Sequence, residues 1–405
     1  MLKNPFLFFV IMLFVAACSK SDLKEKPLES LEKSKLLDGS SQSTSDRYIV
    51  KFKESLLPKS VLFNKLSWEE SQARVKNVIH PLLTELGIDP KKVVHTYSSV
   101  YPGIALPLEE PELNLLLKHP LVEIISPDEV ITIDSFEEKE NPLDFSKAQN
   151  IPWGVQRVGS ADGTGKTAWV IDTGVDLDHP DLNVDALRSQ SFATGDGTFL
   201  ANGGDDNHGH GTHVAGTIGA LDNNQGVLGV AAGATIVSVK VLGGNGSGLI
   251  SDVIAGVDYA AALSLPGDVA NMSLGGPANT LIDLAVQSAA LSGTWYILAA
   301  GNDRIDANMA SPARVNGPFI ATVSAFRSGD RWAGFSNFGN PPIDYSGPGQ
   351  GIYSTFVNGG YRTLNGTSMA APHIAGIYLI KNGAPNVGGF VSNDPDGNPD
   401  PIGVL

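Results

Sequence analysis

Five stretches of the chain are apolar almost without interruption over the length of a β-strand: TAWVID at 167–172, TIVSVKVL at 235–242, VANMSL at 269–274, WYILAAG at 295–301 and FIATVSAF at 319–326. A strand with one wet face alternates apolar and polar residues. These do not, so both of their faces must be covered. Helical patterns fall between them, from His210, over about 250–263 and over about 281–292. The chain should therefore contain an α/β unit, a mostly parallel sheet with helices on both faces.

Ahead of it, residues 47–134 read β-α-β-β-α-β. In YIVKFK, Tyr48, Val50 and Phe52 alternate with Lys51 and Lys53, the period of a half-buried strand. Ser67-Trp68-Glu69-Glu70 has the pattern of a capping box. It opens a helix carrying Val75, Val78, Ile79, Leu82 and Leu83, with Pro81 expected to kink or break it. This order fits a small α+β ferredoxin-like domain. Its histidines, His80, His95 and His119, are isolated and read as structural.

The first 17 residues hold one Lys and then an apolar run from Phe6 to Ala17, too short to span a bilayer. That is the pattern of an export signal. Val15-Ala16-Ala17-Cys18 resembles a bacterial lipobox, and Cys18 is the single cysteine of the 405 residues. This resemblance implies lipidation of Cys18 and attachment to the bacterial cell envelope, at the outer membrane where there are two. Residues 18–46, rich in Ser, Lys and Glu and without aromatic residues before Arg47, read as a flexible tether. Residues 135–147 form a charged connector that contains proline. One cysteine excludes a disulfide scaffold and a cysteine-rich zinc module. The net charge of −15 argues against nucleic acid as a partner.

Three glycine-flanked motifs carry the chemistry. Asp172 ends the first apolar run in V-I-D-T-G-V-D, at the carboxyl edge of the sheet where ligand sites form. Alone it could serve only to cap a turn. H-G-H-G-T-H-V-A-G runs from His208 to Gly216, and N-G-T-S-M-A-A-P-H from Asn365 to His373. A serine hydroxyl becomes a nucleophile only beside a histidine base, and that base needs a carboxylate to fix its tautomer. Each motif is moderately specific, and the three together are far more so.

With these motifs, residues 148–376 resemble a subtilisin-family serine endopeptidase, of the subtilisin and proteinase K kind. The Asp, His, Ser chain order is the one known for subtilisin. The resemblance implies Asp172 as orienting carboxylate, His210 as general base and Ser368 as nucleophile, with His213 structural and His208 at the rim. A-A-G-N at 299–302 matches the family's oxyanion motif, so Asn302 would donate its amide beside the Ser368 N–H. Gly246-Ser247-Gly248 and Ser273-Leu274-Gly275 match the two segments that hold an extended peptide as an added strand. Both segments resemble loops of a broad-specificity enzyme, and no buried acid is placed at the base of the primary pocket, which points to an apolar or aromatic preference.

The same resemblance implies a structural calcium ion. Its ligands would be the carbonyls of Leu221, Gln225 and Val227, the Asn223 side chain, Asp181 and Gln149, an all-oxygen set. The domain at 47–134 resembles the family's inhibitory propeptide. The chain would then be an autoprocessed zymogen, with 135–147 as processing linker and 148–405 as the peptidase domain. It would be a monomer acting on proteins or peptides, released from its Cys18 anchor by cleavage. One departure stands out: Asn382, Gly383 and Pro385 should stop the helix behind Ser368 early. An Asp-, Pro- and Gly-rich tail follows, where the family has a longer helix and strand.

Two other readings compete. His208, His210 and His213 form H-x-H-x-x-H, similar to a metallo-β-lactamase motif but with Thr212 where that motif has Asp. A surface lipoprotein could also keep this fold as a binding module without catalysis.

Overall fold

The computed structural model describes residue 35 and residues 46–57, 67–133, 149–194 and 203–405. The export signal, Cys18 and the connector at 135–147 lie outside the described residues, as does most of the tether.

The N-terminal unit contains β1 (Arg47–Phe52), α1 (Trp68–Glu85), β2 (His95–Tyr97), β3 (Gly103–Pro107), α2 (Glu110–Lys118) and β4 (Val122–Pro127). Its strands form an antiparallel sheet in the order β2-β3-β1-β4, the ferredoxin-like arrangement. The capping box forms: Glu70 N donates to Ser67 Oγ at 3.2 Å, and Ser67 N donates to Glu70 Oε2 at 3.0 Å. Of the two outcomes expected at Pro81, a kink or a break, the break does not occur: α1 continues to Glu85. Proline removes one backbone bond there. Val75, Ile79 and Leu83 are buried on one face of the helix, and at about 1.5–3 kcal/mol each their burial outweighs that loss.

Period two divides β1 between two cores. Val50 and Phe52 face the unit's own helices, while Ile49 joins Tyr97 and Ala105 in a cluster shared with the large unit. After β4, a short strand, β5 (Val130–Thr132), leaves the N-terminal unit altogether.

The large unit runs β6 (Thr167–Asp172), α3 (His210–Gly219), β7 (Thr235–Lys240), β8 (Ser247–Leu249), α4 (Ile250–Leu263), β9 (Val269–Met272), α5 (Thr280–Ala290), β10 (Trp295–Ala299), β11 (Ile320–Arg327), β12 (Ile343–Pro348), α6 (Thr367–Lys381), β13 (Asn386–Phe390) and β14 (Pro401–Val404). The central sheet has the order β13-β14-β12-β11-β10-β9-β6-β7, with Asn183–Val184 beyond β7. All these neighbours are parallel except β13 and β14.

Strand β6 shows why the runs are continuous. Ala168 and Val170 pack in the cluster that holds α3 and α6, and Trp169 and Ile171 in the one that holds α4 and α5. As expected, α6 stops at Lys381, and Asn382 takes the left-handed conformation at φ 50°. The tail beyond it is not merely a tail. It returns as β13 and β14, and β14 extends the parallel sheet alongside β12. Among the described residues no helix is long and apolar enough to cross a membrane.

Candidate active site

Asp172 is the last residue of β6 and His210 the first of α3, so both sit at the carboxyl edge of the sheet. Asp172 Oδ1 lies 2.7 Å from His210 Nδ1, and both side chains are buried. A carboxylate can only accept, so Nδ1 carries the proton and Nε2 is left as the basic nitrogen. Thr173 N donates to the same Asp172 oxygen at 2.7 Å. Gly211 permits the approach of α3 to this strand, because a Cβ there would overlap the carbonyl oxygen of Gly174.

Ser368 is the second residue of α6, which packs along α3. Its Oγ donates to Ser273 O at 3.1 Å, and Ser273 Oγ donates back to Ser368 O at 2.9 Å. This pair ties the serine to the segment Ser273-Leu274-Gly275. Asn302 Oδ1 accepts from Thr367 N at 2.8 Å and from Thr367 Oγ1 at 3.0 Å. That fixes the amide, and its Nδ2 lies on the side of Gly366, 3.5 Å from where a Cβ on that glycine would stand.

Two supporting residues escaped the sequence reading. Thr367 is fully buried and sets the Asn302 rotamer, with its Oγ1 also accepting from Gly301 N at 3.1 Å. Asp206 accepts from His208 N and Gly209 N at 2.9 Å, from Thr212 N at 3.1 Å, and from the hydroxyls of Thr173 and Thr212 at 3.0 and 2.6 Å. It thereby satisfies the open N-terminal turn of α3. Burial pushes its carboxyl above the ordinary value, against these hydrogen bonds. An acid four residues ahead of the histidine was the available signal.

Strand β5, which follows the N-terminal unit, lies between the segments Gly246-Ser247-Gly248 and Ser273-Leu274-Gly275. It pairs antiparallel with β8, placing Thr132 opposite Ser247 and Ile131 opposite Gly248. Thr132 also bridges to Gly275, and Ile133 N donates to Gly246 O at 3.0 Å. Gly246 has φ 74°, and a Cβ on it would stand 2.8 Å from Ile133 Cγ1, so both backbone and space require glycine. A cavity of about 470 Å³ opens beside Ser368, lined by Leu274, Ala299, Ala300, Ile305, Met309 and Ala310 among others, with the exposed Asp303 at its edge.

The Subtilase family (Peptidase S8) matches residues 163–391, and Peptidase inhibitor I9 matches residues 47–134. The chain belongs to the subtilase family. It is a serine endopeptidase that carries an I9 propeptide. It is 35% identical over 378 residues to "Alkaline serine exoprotease A" of Vibrio alginolyticus, covering 89% of this chain and 65% of that protein, a little under two thirds of its length. It is 35% identical over 378 residues to "Extracellular serine proteinase" of Thermus sp. (strain Rt41A), covering 91% of this chain and 87% of that one. Among solved structures, that of a cold adapted subtilisin-like serine proteinase matches with TM-score 0.54 and 38% identity, over 62% of this chain and 96% of that one.

In this subtilase the residues expected to hold calcium are gathered in one place. Gln149 Nε2 donates to Leu221 O at 2.5 Å and to Val227 O at 3.0 Å. Asp181 accepts from Asn223 Nδ2 at 3.0 Å and from Val227 N at 2.9 Å, and Gln225 N donates to Asn223 Oδ1 at 2.9 Å. Two carbonyls converging on one donor, beside a carboxyl that burial pushes above its ordinary value, fit a hard cation.

The three histidines of the subtilase do not converge. His213 Nε2 lies 3.0 and 3.1 Å from the carbonyls of Ile352 and Arg362, and burial holds the ring neutral, with its pKa lowered to about 3. Among the described residues no three His, Cys, Asp or Glu side chains gather as a metal site.

Proposed function

We propose that this subtilase cleaves peptide bonds through an acyl-enzyme formed on Ser368. His210 Nε2 takes the proton from Ser368 Oγ as it attacks the scissile carbonyl, then delivers it to the leaving amine. Asp172 holds the tautomer and stabilises the imidazolium. Asn302 Nδ2 and the Ser368 N–H receive the oxyanion. The observation that carries this reading is the buried 2.7 Å contact between His210 and Asp172, in helix α3 packed against the helix that opens on Ser368.

Substrate enters as β5 does, as a strand between Gly246-Ser247-Gly248 and Ser273-Leu274-Gly275. The apolar lining of the adjacent cavity favours an apolar or aromatic side chain before the cleaved bond. Residues 47–134 act as the propeptide, which enters the cleft last at Ile133, and self-cleavage falls in the segment that follows. Asp181, Asn223, Gln149 and the carbonyls of Leu221, Gln225 and Val227 would hold calcium, which would supply rigidity to the loop after α3.

Residues 1–17 direct export, Cys18 receives lipid, and 18–46 tether the zymogen to the envelope. Cleavage then frees the protease as a monomer, in keeping with a relative named extracellular. Fractionation of cells making the wild-type and Ser368→Ala chains tests the release step. The wild-type protease should leave the membrane fraction and the variant should stay; equal retention of both would refute it.

A further inference from the structure

Lys240 ends β7 directly beside Asp172, its register partner on β6, and is completely buried. A buried lysine either gives up its proton or hands each N–H to an acceptor. Here Nζ lies 2.6 Å from Thr173 O, 2.7 Å from Leu242 O and 2.9 Å from Asn207 Oδ1. All three are oxygens that only accept, so three contacts require three protons and the group is an ammonium.

The three partners lie on the three segments that build the site. Thr173 N holds Asp172 Oδ1, and Thr173 Oγ1 accepts from Gly211 N of α3 at 2.9 Å. Leu242 N reaches Asp172 O at 3.2 Å and leads into the loop that ends at Gly246. Asn207 precedes the two residues, His208 and Gly209, whose N–H groups are fixed by Asp206 just before His210.

On the reading that Asp172, His210 and Ser368 form the triad, we infer that Lys240 is a positioning residue of the active site. Its ammonium pins the turn after Asp172, the loop before His210 and the root of the substrate-binding edge to one point.

The test uses the full chain, expressed and allowed to process, assayed on a chromogenic peptide. Lys240→Met should lower kcat about tenfold or more with KM nearly unchanged. A purely structural role would instead lower the melting temperature and leave the kcat of the folded enzyme unchanged. Asn207→Ala removes one contact at an exposed residue, and should lower kcat about threefold at an unchanged melting temperature. Folded Lys240→Met with the wild-type kcat would overturn the inference. If that variant does not fold, Asn207→Ala with the wild-type kcat would overturn it. Ser368→Ala separates the two levels: residual activity there denies the triad itself, whereas an inactive Ser368→Ala beside an unaltered Lys240 variant denies only the role of Lys240.

Discussion

Asp128 of the propeptide accepts the backbone N–H of Ser251 at 2.9 Å through Oδ1 and the Ser251 hydroxyl at 2.5 Å through Oδ2. Ser251 is in the first turn of α4, and Leu249, the residue before that helix, has no side chain that can cap it. The propeptide thus supplies a cap that the protease helix lacks. Further along α4, Asp258 accepts the N–H groups of Ser98, Ser99 and Val100 at 2.8, 2.6 and 3.1 Å. Buried carboxyls therefore sit at the centre of the propeptide contact.

That burial makes the contact sensitive to pH. The Asp128 carboxyl is pushed up to about 7 in the bound state, chiefly by desolvation. A carboxyl whose bound pKa is raised contributes affinity that is complete below its free value and is lost as pH rises through the bound value. The inhibition constant of separately made residues 46–134 should therefore rise from about pH 4 to about pH 7 and flatten above. Asp128→Asn should remove much of that slope. A variant with the wild-type slope would show that other groups set it.

Calcium should raise the melting temperature of the mature enzyme. At about a hundred times its dissociation constant a ligand adds about 2.7 kcal/mol, which for a chain of this size is about 5 °C or more. Asp181→Asn should lose the response. Calorimetry with calcium and with a chelator decides the matter, and an unchanged response in the variant would place the ion elsewhere.

Asn302→Ala should depress kcat and leave KM nearly alone, since in the proposed mechanism the amide meets charge that develops only in the transition state. The expected order, about 10²–10³, is the one already known for loss of this donor in subtilisin. Steady-state kinetics on one peptide suffices; a rise in KM at constant kcat would assign Asn302 to substrate binding instead.

Peptides with Phe or Leu before the cleaved bond should exceed those with Glu in kcat/KM. Burying such a side chain is worth about 1.5–3 kcal/mol, or about ten- to a hundredfold, and Asp303 at the cavity edge adds repulsion toward an acid. A peptide library profile would show this directly, and a preference for acidic residues would contradict the apolar lining.

Much of this was legible in the sequence because the physics is local. Buried strands such as TAWVID announce themselves by lacking alternation, and glycine-flanked Asp172, His210 and Ser368 mark strand and helix ends at one edge of a sheet. What stayed hidden depends on contacts between distant segments. Pro81 is tolerated in α1 because Val75, Ile79 and Leu83 are buried along the same helix. The tail after Pro385 becomes β13 and β14 only because the edge of β12 is there to receive it. Lys240 is the single cation in TIVSVKVL, and of its three acceptors only Leu242 O lies in that stretch, while Thr173 O and Asn207 Oδ1 come from two distant ones.

The central claim is tested most directly by Ser368→Ala in the full chain, read by N-terminal sequencing of the product. The wild type should yield a protease whose new N-terminus lies after Ile133, and the variant should keep residues 47–134 joined to the rest and hydrolyse no peptide. A variant that is still trimmed at the same bond when purified alone, or that still cleaves substrate, would contradict the account.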